Sequence, residues 1–188
     1  MSFRITNVDT VHAGRSKFLI LAVELPDGQT MRREVEDHGA AVCVLPYDPQ
    51  RRTAILVRQL RAPVFLAAQQ EELLEAVAGI VESPDPVACG RREAMEEAGL
   101  ALGAMEHVGS AWTMPGVSTE RMHLYVAPYG AADRTGPGGG LADAHEHTTV
   151  VELPLAELAA RADEGRLDDM KTMLLVQTLR LRRPDLFA

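Results

Sequence analysis

A cluster of three glutamates near the middle of the chain constrains its fold and chemistry more than any other feature. Residues 92 to 100 have the sequence Arg-Glu-Ala-Met-Glu-Glu-Ala-Gly-Leu, and in a helix Glu93, Glu96 and Glu97 lie within about one third of the circumference. Like charges three or four residues apart repel by a few tenths of a kcal/mol per pair. A hard divalent ion such as Mg²⁺ relieves that repulsion, whereas the simpler alternative is an acidic helix face in solvent.

The residues on either side of this cluster predict where its helix begins and ends. Asp85 followed by Pro86 is typical of an N-cap and a first helical residue, and Gly99 is typical of the left-handed residue that ends a helix. These signals predict a helix of about 13 residues. Residues 72 to 79 predict a strand that leads into a glycine turn, so the unit is a strand, a loop and a helix with the carboxylates near its end.

Residues 79 to 100 resemble the signature box of the Nudix hydrolases, G-x5-E-x7-R-E-U-x-E-E-x-G-U, where U is aliphatic. Arg92, the three glutamates, Gly99 and Leu100 match the pattern, and Asp85 replaces its first glutamate. Six residues separate Asp85 from Arg92 where the pattern has seven, so the box is one residue short. Similar shortened boxes occur in the branch that cleaves GDP-mannose and related nucleotide sugars.

The resemblance covers most of the chain, from about residue 30 to about residue 180. It implies an α/β sandwich with a mixed sheet and an N-terminal β arm. The corresponding domain prediction is one Nudix domain over residues 1–188, with the arm at 1–39 and the catalytic part at 40–188. Four further segments resemble the ADP-ribose and GDP-mannose pyrophosphatases: Arg33-Glu34-Val35, Val57-Arg58-Gln59 with Arg61, Pro115 to Glu120, and Gly140-Leu141-Ala142-Asp143 before an acidic loop.

The other predicted elements are mainly strands, with two helices near the C-terminus. Pro-Asp-Gly-Gln predicts a hairpin between strands 17–25 and 30–36, and a second hairpin is predicted from 40–47 and 53–61. The glycine-rich segment 130–147 is predicted to be mobile and not to pack on a core. Further strands are expected at 105–112, 121–129 and 148–153, and helices at 154–163 and 168–182.

The resemblance implies a role for each residue of the box. Glu93 and Glu97 are expected to be direct metal ligands, Glu96 a ligand or the holder of a water molecule, and the backbone carbonyl of Ala78 a further ligand. Glu93 and Glu96 therefore count as catalytic residues as well. The guanidinium of Arg92 is expected to be an internal prop that pairs with a carboxylate.

The predicted substrate contacts lie outside the box. Arg33 and Arg61 are expected to clamp phosphates, although arginines at strand ends are also commonly solvated, and Arg58 is assigned a structural role. Glu34 and Glu120 are expected to orient the terminal sugar or to complete a metal site. The backbone from Met114 to Gly116 is expected near the phosphates, with simple chain reversal as the alternative.

The predicted general base is a glutamate of the late loop. The resembling ADP-ribose enzymes place glutamates after Gly-Leu-Ala-Asp, and here the first such position is Ala144, which accepts no proton. The next is Glu146, which we expect to be the base, with Glu96 or Glu120 as alternatives on the rigid part of the site. The flanking His145 and His147 resemble a metal site only superficially, and we expect them to be exposed.

The expected function is the Mg²⁺-dependent hydrolysis of a nucleoside diphosphate sugar to a nucleoside monophosphate and a sugar phosphate, with Mn²⁺ able to substitute. The resemblance leaves ADP-ribose and GDP-mannose open. Lys171-Thr172 and the short box favour the second, and Gly140 to Asp143 favours the first. Clean-up of other nucleoside di- or triphosphates and a catalytically silent nucleotide-binding module are the alternatives. The arm implies a homodimer in which Arg33 reaches the partner's pocket.

Composition excludes several other classes of function. The net charge of −8 and the absence of a basic stripe argue against nucleic-acid binding. No segment approaches the roughly 18 consecutive apolar residues of a membrane span, and the N-terminus lacks a signal-peptide pattern. We therefore expect a cytoplasmic protein without a membrane partner. Cys43 and Cys89 have no paired spacing and are expected to be reduced.

Overall fold

The computed structural model describes residues 2–140 and 148–188. Its contacts divide the chain into two units. One contains Met1–Ala41 and Ser110–Met122, and the other contains Val42–Gly109 and His123–Ala188. Four α-helices and ten strands lie within the described residues. No helix among them is long and apolar enough to cross a membrane.

The first unit is built on a three-stranded antiparallel sheet, in the order β1, β2, β3. Gly28, at φ +85°, closes the predicted Pro-Asp-Gly-Gln turn between β2 and β3, because only glycine adopts that backbone conformation without strain. This hairpin is confirmed. The strand β1 was not predicted, and its side chains are exposed along its whole length. The strands are β1 (Arg4–Ala13), β2 (Lys17–Glu24) and β3 (Thr30–Asp37).

A seven-stranded sheet forms the centre of the second unit. Five strands follow in the order β10, β5, β4, β9, β8, and two short ones are attached, β6 beside β5 and β7 beside β4. These assignments confirm the predicted α/β fold with a mixed sheet. The strands are β4 (Ala40–Asp48), β5 (Thr53–Gln59), β6 (Leu73–Glu75), β7 (Val77–Ile80), β8 (Glu106–Trp112), β9 (Arg121–Pro128) and β10 (Thr148–Pro154).

Both faces of this sheet are covered in the region of β5. Ala54, Ile55, Leu56 and Val57 are all fully buried, although successive side chains of a strand point to opposite faces. Ile55 and Val57 pack in one cluster with Ala94 of helix α2, which therefore covers that face. The helices are α1 (Ala62–Ala68), α2 (Pro86–Ala98), α3 (Leu155–Asp163) and α4 (Met170–Arg182).

Two predicted boundaries were wrong for reasons that lie in tertiary contacts and backbone chemistry. The strand predicted over 72–79 is interrupted at Ala76, because the Ala76 N–H donates to the hydroxyl of Thr172 at 2.6 Å instead of to a neighbouring strand. The strand predicted to run to Arg61 ends at Gln59. Helix α1 follows, with a proline in its first turn, where a missing N–H costs no hydrogen bond.

Thr172 generates the first prediction, because its buried hydroxyl joins α4 to the break between β6 and β7. Thr172→Val keeps the shape but leaves the buried Ala76 N–H without an acceptor, so we expect a loss of about 1–3 kcal/mol in the free energy of unfolding. Equilibrium unfolding in urea measures this loss of stability. Thr172→Ser keeps the hydroxyl and is the matched control, so an equal loss in both variants would contradict this explanation.

Candidate active site

Helix α2 begins and ends where its sequence signals predict. The Asp85 side chain accepts hydrogen bonds from the N–H groups of Val87, at 2.9 Å, and Ala88, at 3.2 Å. At the other end Gly99 has φ +67°, and its N–H donates to the carbonyl of Met95. The interpretation of Asp85 as a structural cap is confirmed. The two caps fix the rotational register of the helix and so decide which face its glutamates share.

Glu97 is a buried carboxyl of the helix whose pKa is raised. It is 6 % exposed, and its Oε2 accepts a hydrogen bond from the N–H of Ala78 in β7 at 3.2 Å. Burial, helped by the negative charge of Glu93, raises the pKa of Glu97 to about 7, against the lowering effects of the Ala78 hydrogen bond and of Arg61. The carboxyl groups of Glu93 and Glu97 on α2 are therefore close enough to interact in a poorly solvated region beside β7.

Glu93 lies directly over the glycine that begins the box. A Cβ atom on Gly79 would come within 2.1 Å of the Glu93 carboxyl carbon, so no other residue fits at position 79 without displacing the glutamate. Glu93 is 9 % exposed and pairs with Arg92, Nη2 to Oε1, at 2.8 Å. Glu93 and Glu97, one helical turn apart, thus both face β7 at residues 78 and 79.

Arg92 has the propping role that the sequence predicted. Its guanidinium lies 2.8 Å from Glu93, 2.9 Å from Glu96 and 3.3 Å from Glu82. The positive charge of Arg92 is therefore divided among three carboxylates. It offsets part of their mutual repulsion.

The chemistry of these donors fits a hard divalent cation. Within residues 2–140 and 148–188, no three acidic, His or Cys side chains are already placed as a metal-binding group, and Glu93 and Glu96 are turned toward Arg92. Nevertheless Glu93 and Glu97 are buried carboxyl groups that face β7, and burial raises the pKa of Glu97. Oxygen donors of this kind are those that Mg²⁺ prefers.

A second charged network holds Arg61 next to this helix. The Arg61 Nε donates to Glu75 Oε2 at 2.6 Å, and Lys171 donates to the other oxygen of the same carboxylate. Glu75 is only 2 % exposed. Lys171 also pairs with Asp169 at 2.8 Å. Burial lowers the pKa of Lys171, but the charges of Asp169 and Glu75 outweigh it and keep the lysine protonated.

Three consecutive glycines, residues 138–140, lie against the C-terminal end of α2. The N–H groups of Gly139 and Gly140 donate to the carbonyls of Glu97, at 2.9 Å, and Glu96, at 3.0 Å. A Cβ on Gly138 would lie 2.5 Å from the Glu97 carbonyl oxygen. The described part of this segment is therefore joined to α2 by backbone hydrogen bonds, because a bare glycine backbone satisfies carbonyls that a helix end leaves unpaired.

The remaining predicted substrate residues belong to the first unit. Glu120 Oε2 lies 3.5 Å from His38 Nδ1, and Ser118 N–H donates to the Met114 carbonyl at 2.8 Å in a tight turn that includes Gly116. Arg33 and Glu34 lie on β3 and are exposed. Arg33 donates to the carbonyl of its neighbour Arg32 at 2.9 Å.

The chain matches the family model of the NUDIX domain over residues 37–174. It belongs to the NUDIX family. GDP-mannose pyrophosphatase of Cronobacter sakazakii is 38 % identical over 159 residues, which cover 83 % of this chain and 82 % of that protein. The GDP-mannose pyrophosphatase of Pectobacterium atrosepticum is 40 % identical over 146 residues, which cover 77 % of this chain and 75 % of that protein. That of Escherichia coli O1:K1 is 33 % identical over 158 residues, which cover 82 % of each protein.

A solved structure supports the NUDIX fold independently. A crystal structure of an ADP compounds hydrolase superimposes with a TM-score of 0.78 over 98 % of this chain and 96 % of that chain, at 18 % sequence identity. At that identity the likeness concerns the fold alone. Together with the family match, it confirms the predicted family, its fold class and the prediction that the protein is an enzyme of this hydrolase family.

The carboxylates of the NUDIX box lie in the second unit. Ala78, Glu93, Glu96, Glu97 and Arg61 all belong to that unit. Glu146, the predicted base, and His145 and His147 lie outside the described residues. Sequence reasoning missed Glu75 and Asp169, the partners of Arg61 and Lys171. The one available signal was Glu75, a glutamate between apolar residues inside the strand predicted over 72–79.

The raised pKa of Glu97 predicts how the stability of the metal-free NUDIX protein depends on pH. The folded-state pKa of about 7 lies above the ordinary value of 4.5, so the folded state favours the protonated form. Protonation of Glu97 therefore stabilises the folded state by about 3 kcal/mol in total. This contribution is complete below pH 4.5 and is lost as the pH rises through about 7.

We therefore expect wild type in a chelator to lose stability between pH 4.5 and 7.5 relative to Glu97→Gln, which has no such titration. Urea unfolding at a series of pH values measures the difference. Parallel pH profiles for the two proteins would show that this carboxyl does not carry the effect.

Proposed function

We propose that this protein hydrolyses the pyrophosphate bond of a nucleoside diphosphate sugar and releases a nucleoside monophosphate and a sugar phosphate. The observation that carries the proposal is the pair of buried carboxylates, Glu93 and Glu97, on a box that is one residue short. The relatives named GDP-mannose pyrophosphatase make GDP-mannose the first candidate substrate. ADP-ribose is the second, on the resemblance of Gly140 to Asp143.

We propose that the box holds Mg²⁺, with Mn²⁺ as a substitute. Glu93, Glu97 and the carbonyl of Ala78 would be its ligands, and Glu96 would be a further ligand or would hold a water molecule. When bound, the cation supplies neutralisation of the pyrophosphate charge and acidification of water. The pKa of Glu97 near 7 supports this assignment, because a cation replaces the proton that burial otherwise favours.

Arg61 is the proposed phosphate clamp of the second unit. Within the described part of the chain its side chain donates through Nε, to Glu75, and its terminal nitrogens are left to donate to phosphate oxygens. Lys171 binds the other oxygen of Glu75 and so fixes this carboxylate, which in turn fixes the Arg61 guanidinium through its Nε. A preorganised arginine positions a phosphate without losing side-chain entropy at the moment of binding.

The remaining proposed substrate contacts are the residues that the sequence resemblance indicates outside the box. Arg33 would bind a phosphate, and Glu34 and Glu120 would orient the sugar or complete a metal site. The tight turn from Met114 to Gly116 would present backbone groups to the phosphates. A cytoplasmic location is part of the same proposal, because Cys43 and Cys89 are both buried free thiols.

A substrate panel tests the proposal. GDP-mannose, ADP-ribose, a dinucleoside polyphosphate and nucleoside triphosphates are incubated with Mg²⁺ or Mn²⁺, and the monophosphate released is quantified. We expect a nucleotide sugar to exceed every triphosphate in kcat/KM, and Glu97→Gln to lower turnover by about 10²–10³-fold. Glu71→Gln, at an exposed glutamate, is the matched control.

Each other outcome of the panel favours a different function. Preferred cleavage of triphosphates indicates nucleotide clean-up, and nucleotide binding without cleavage indicates a silent binding module. Near-normal turnover of Glu97→Gln at saturating Mg²⁺ removes the metal assignment even if the substrate is correct.

The general base is proposed to be Glu146, and three variants decide it. A positioned base contributes about 10²–10⁴-fold, so Glu146→Gln should lower kcat by roughly two orders of magnitude or more with the affinity for Mg²⁺ unchanged. If Glu146→Gln stays within about threefold of wild type while Glu96→Gln or Glu120→Gln abolishes turnover, the base is one of those two residues.

We propose that the protein is a homodimer that pairs through its N-terminal arm. Phe3, Ile5, Val8 and Val11 are each more than half exposed in the single chain, at 52–67 %. An exposed strand with that many apolar side chains is a surface for another chain. Sedimentation at micromolar concentration should give a dimer, and Ile5→Lys with Val8→Lys a monomer of lower activity.

Leu181→Lys, at an even more exposed apolar residue of α4, is the control and should remain dimeric. A monomeric wild type, or full activity after deletion of the residues before Ala40, would count against the dimer and against a contribution of Arg33 to the partner's pocket.

A further inference from the structure

Three arginines line a cavity of about 270 Å³ in the second unit. Arg58 comes from the end of β5, Arg161 from α3, and Arg166 from the connection between α3 and α4. Leu73 and Leu167, both buried, form apolar parts of its wall. None of the three arginines belongs to the NUDIX box or to the proposed phosphate clamp.

Strand register separates this cavity from the carboxylates of α2. In the pairing of β5 with β6, Arg58 is opposite Leu74, and Val57 is opposite Glu75. Because neighbouring residues of a strand point to opposite faces, Arg58 and Leu74 share one face and Val57 and Glu75 share the other. Val57 packs in the same cluster as residues of α2. The cavity arginine therefore points away from the face that α2 covers.

The charges around the cavity are incompletely balanced. No hydrogen bond or ion pair joins the half-buried Arg58 guanidinium to another residue of the described chain. Arg161 and Arg166 pair with Glu157 and Glu164, whose side chains are 43 % and 55 % exposed, so these pairs are weakened by solvent. The lining contains three arginines and two carboxylates, Glu72 and Asp168, so the lining residues carry one net positive charge.

We propose that this cavity binds the phosphate group of a small phosphomonoester. Guanidinium groups form paired hydrogen bonds with phosphate oxygens, and an unpaired, partly desolvated one gains most from such an anion. The volume lies just below the roughly 300 Å³ at which pockets for drug-sized ligands begin. It suits inorganic phosphate or a sugar phosphate and is too small for a whole nucleoside diphosphate sugar.

Calorimetric titration of the full chain in EDTA tests the site without metal or substrate, and so independently of the proposed hydrolysis. The titrants are inorganic phosphate, mannose 1-phosphate and GMP at constant ionic strength. We expect one site per chain, and a weakening of about tenfold or more in Arg58→Gln and in Arg166→Gln, since each removes a charged hydrogen-bond donor. Arg166 is exposed, so its variant does not threaten folding.

Arg180→Gln is the matched control, because Arg180 lies on α4, outside the cavity lining, and pairs with Asp163. The affinity of Arg180→Gln for inorganic phosphate should stay within about twofold of that of the wild type. Tighter binding of mannose 1-phosphate than of inorganic phosphate identifies a sugar phosphate site, and equal binding a site for the phosphate group alone. Binding that survives both cavity variants, or no saturation up to about 10 mM, overturns the proposal.

Discussion

The packing of α2 against β7 is the constraint on which the rest of the second unit depends. Glu97 accepts the Ala78 N–H, and Glu93 fits over Gly79 only because that residue has no side chain. On the same helix a Cβ at Gly90 would meet the Met105 methyl at 2.8 Å, so the helix approaches its surroundings closely there as well. Close approach buries the two carboxylates and thereby creates both their electrostatic cost and their capacity to bind a cation.

That cost is offset by charges from α2 itself and from distant parts of the chain. Arg92 pairs with Glu93 and Glu96 on the same helix. Arg61, which follows β5 in the chain, lowers the pKa of Glu97 through its positive charge. Arg61 is in turn held by Glu75, which Lys171 also binds. Because each ion is buried or half-buried, removing one member leaves its partner uncompensated, and the network acts as a unit. A rigid arrangement of this kind is what phosphoryl chemistry requires of its positioning groups.

The glycine-rich segment is tied to the same helix. Gly139 and Gly140 satisfy the carbonyls of Glu97 and Glu96, and Thr135 and Gly136 donate to the carbonyl of Gly99. The backbone of the glutamates therefore anchors the segment while their side chains face the site. Helix α2 joins three functions in one element: its face carries the carboxylates, its caps set their register, and its last carbonyls hold the chain that follows.

The sequence by itself determined the local structure of this protein and the identity of the box. Asp85, Gly99 and the Asp-Gly turn act on their immediate neighbours, so their effects are visible in a one-dimensional pattern. Only the tertiary structure decided that Glu75 binds Arg61 and Lys171, 14 and 96 residues away. It likewise decided that Thr172 interrupts a strand at Ala76, and that Arg58 faces a cavity. Such contacts depend on which faces the folded chain brings together, and that information is not contained in local spacing.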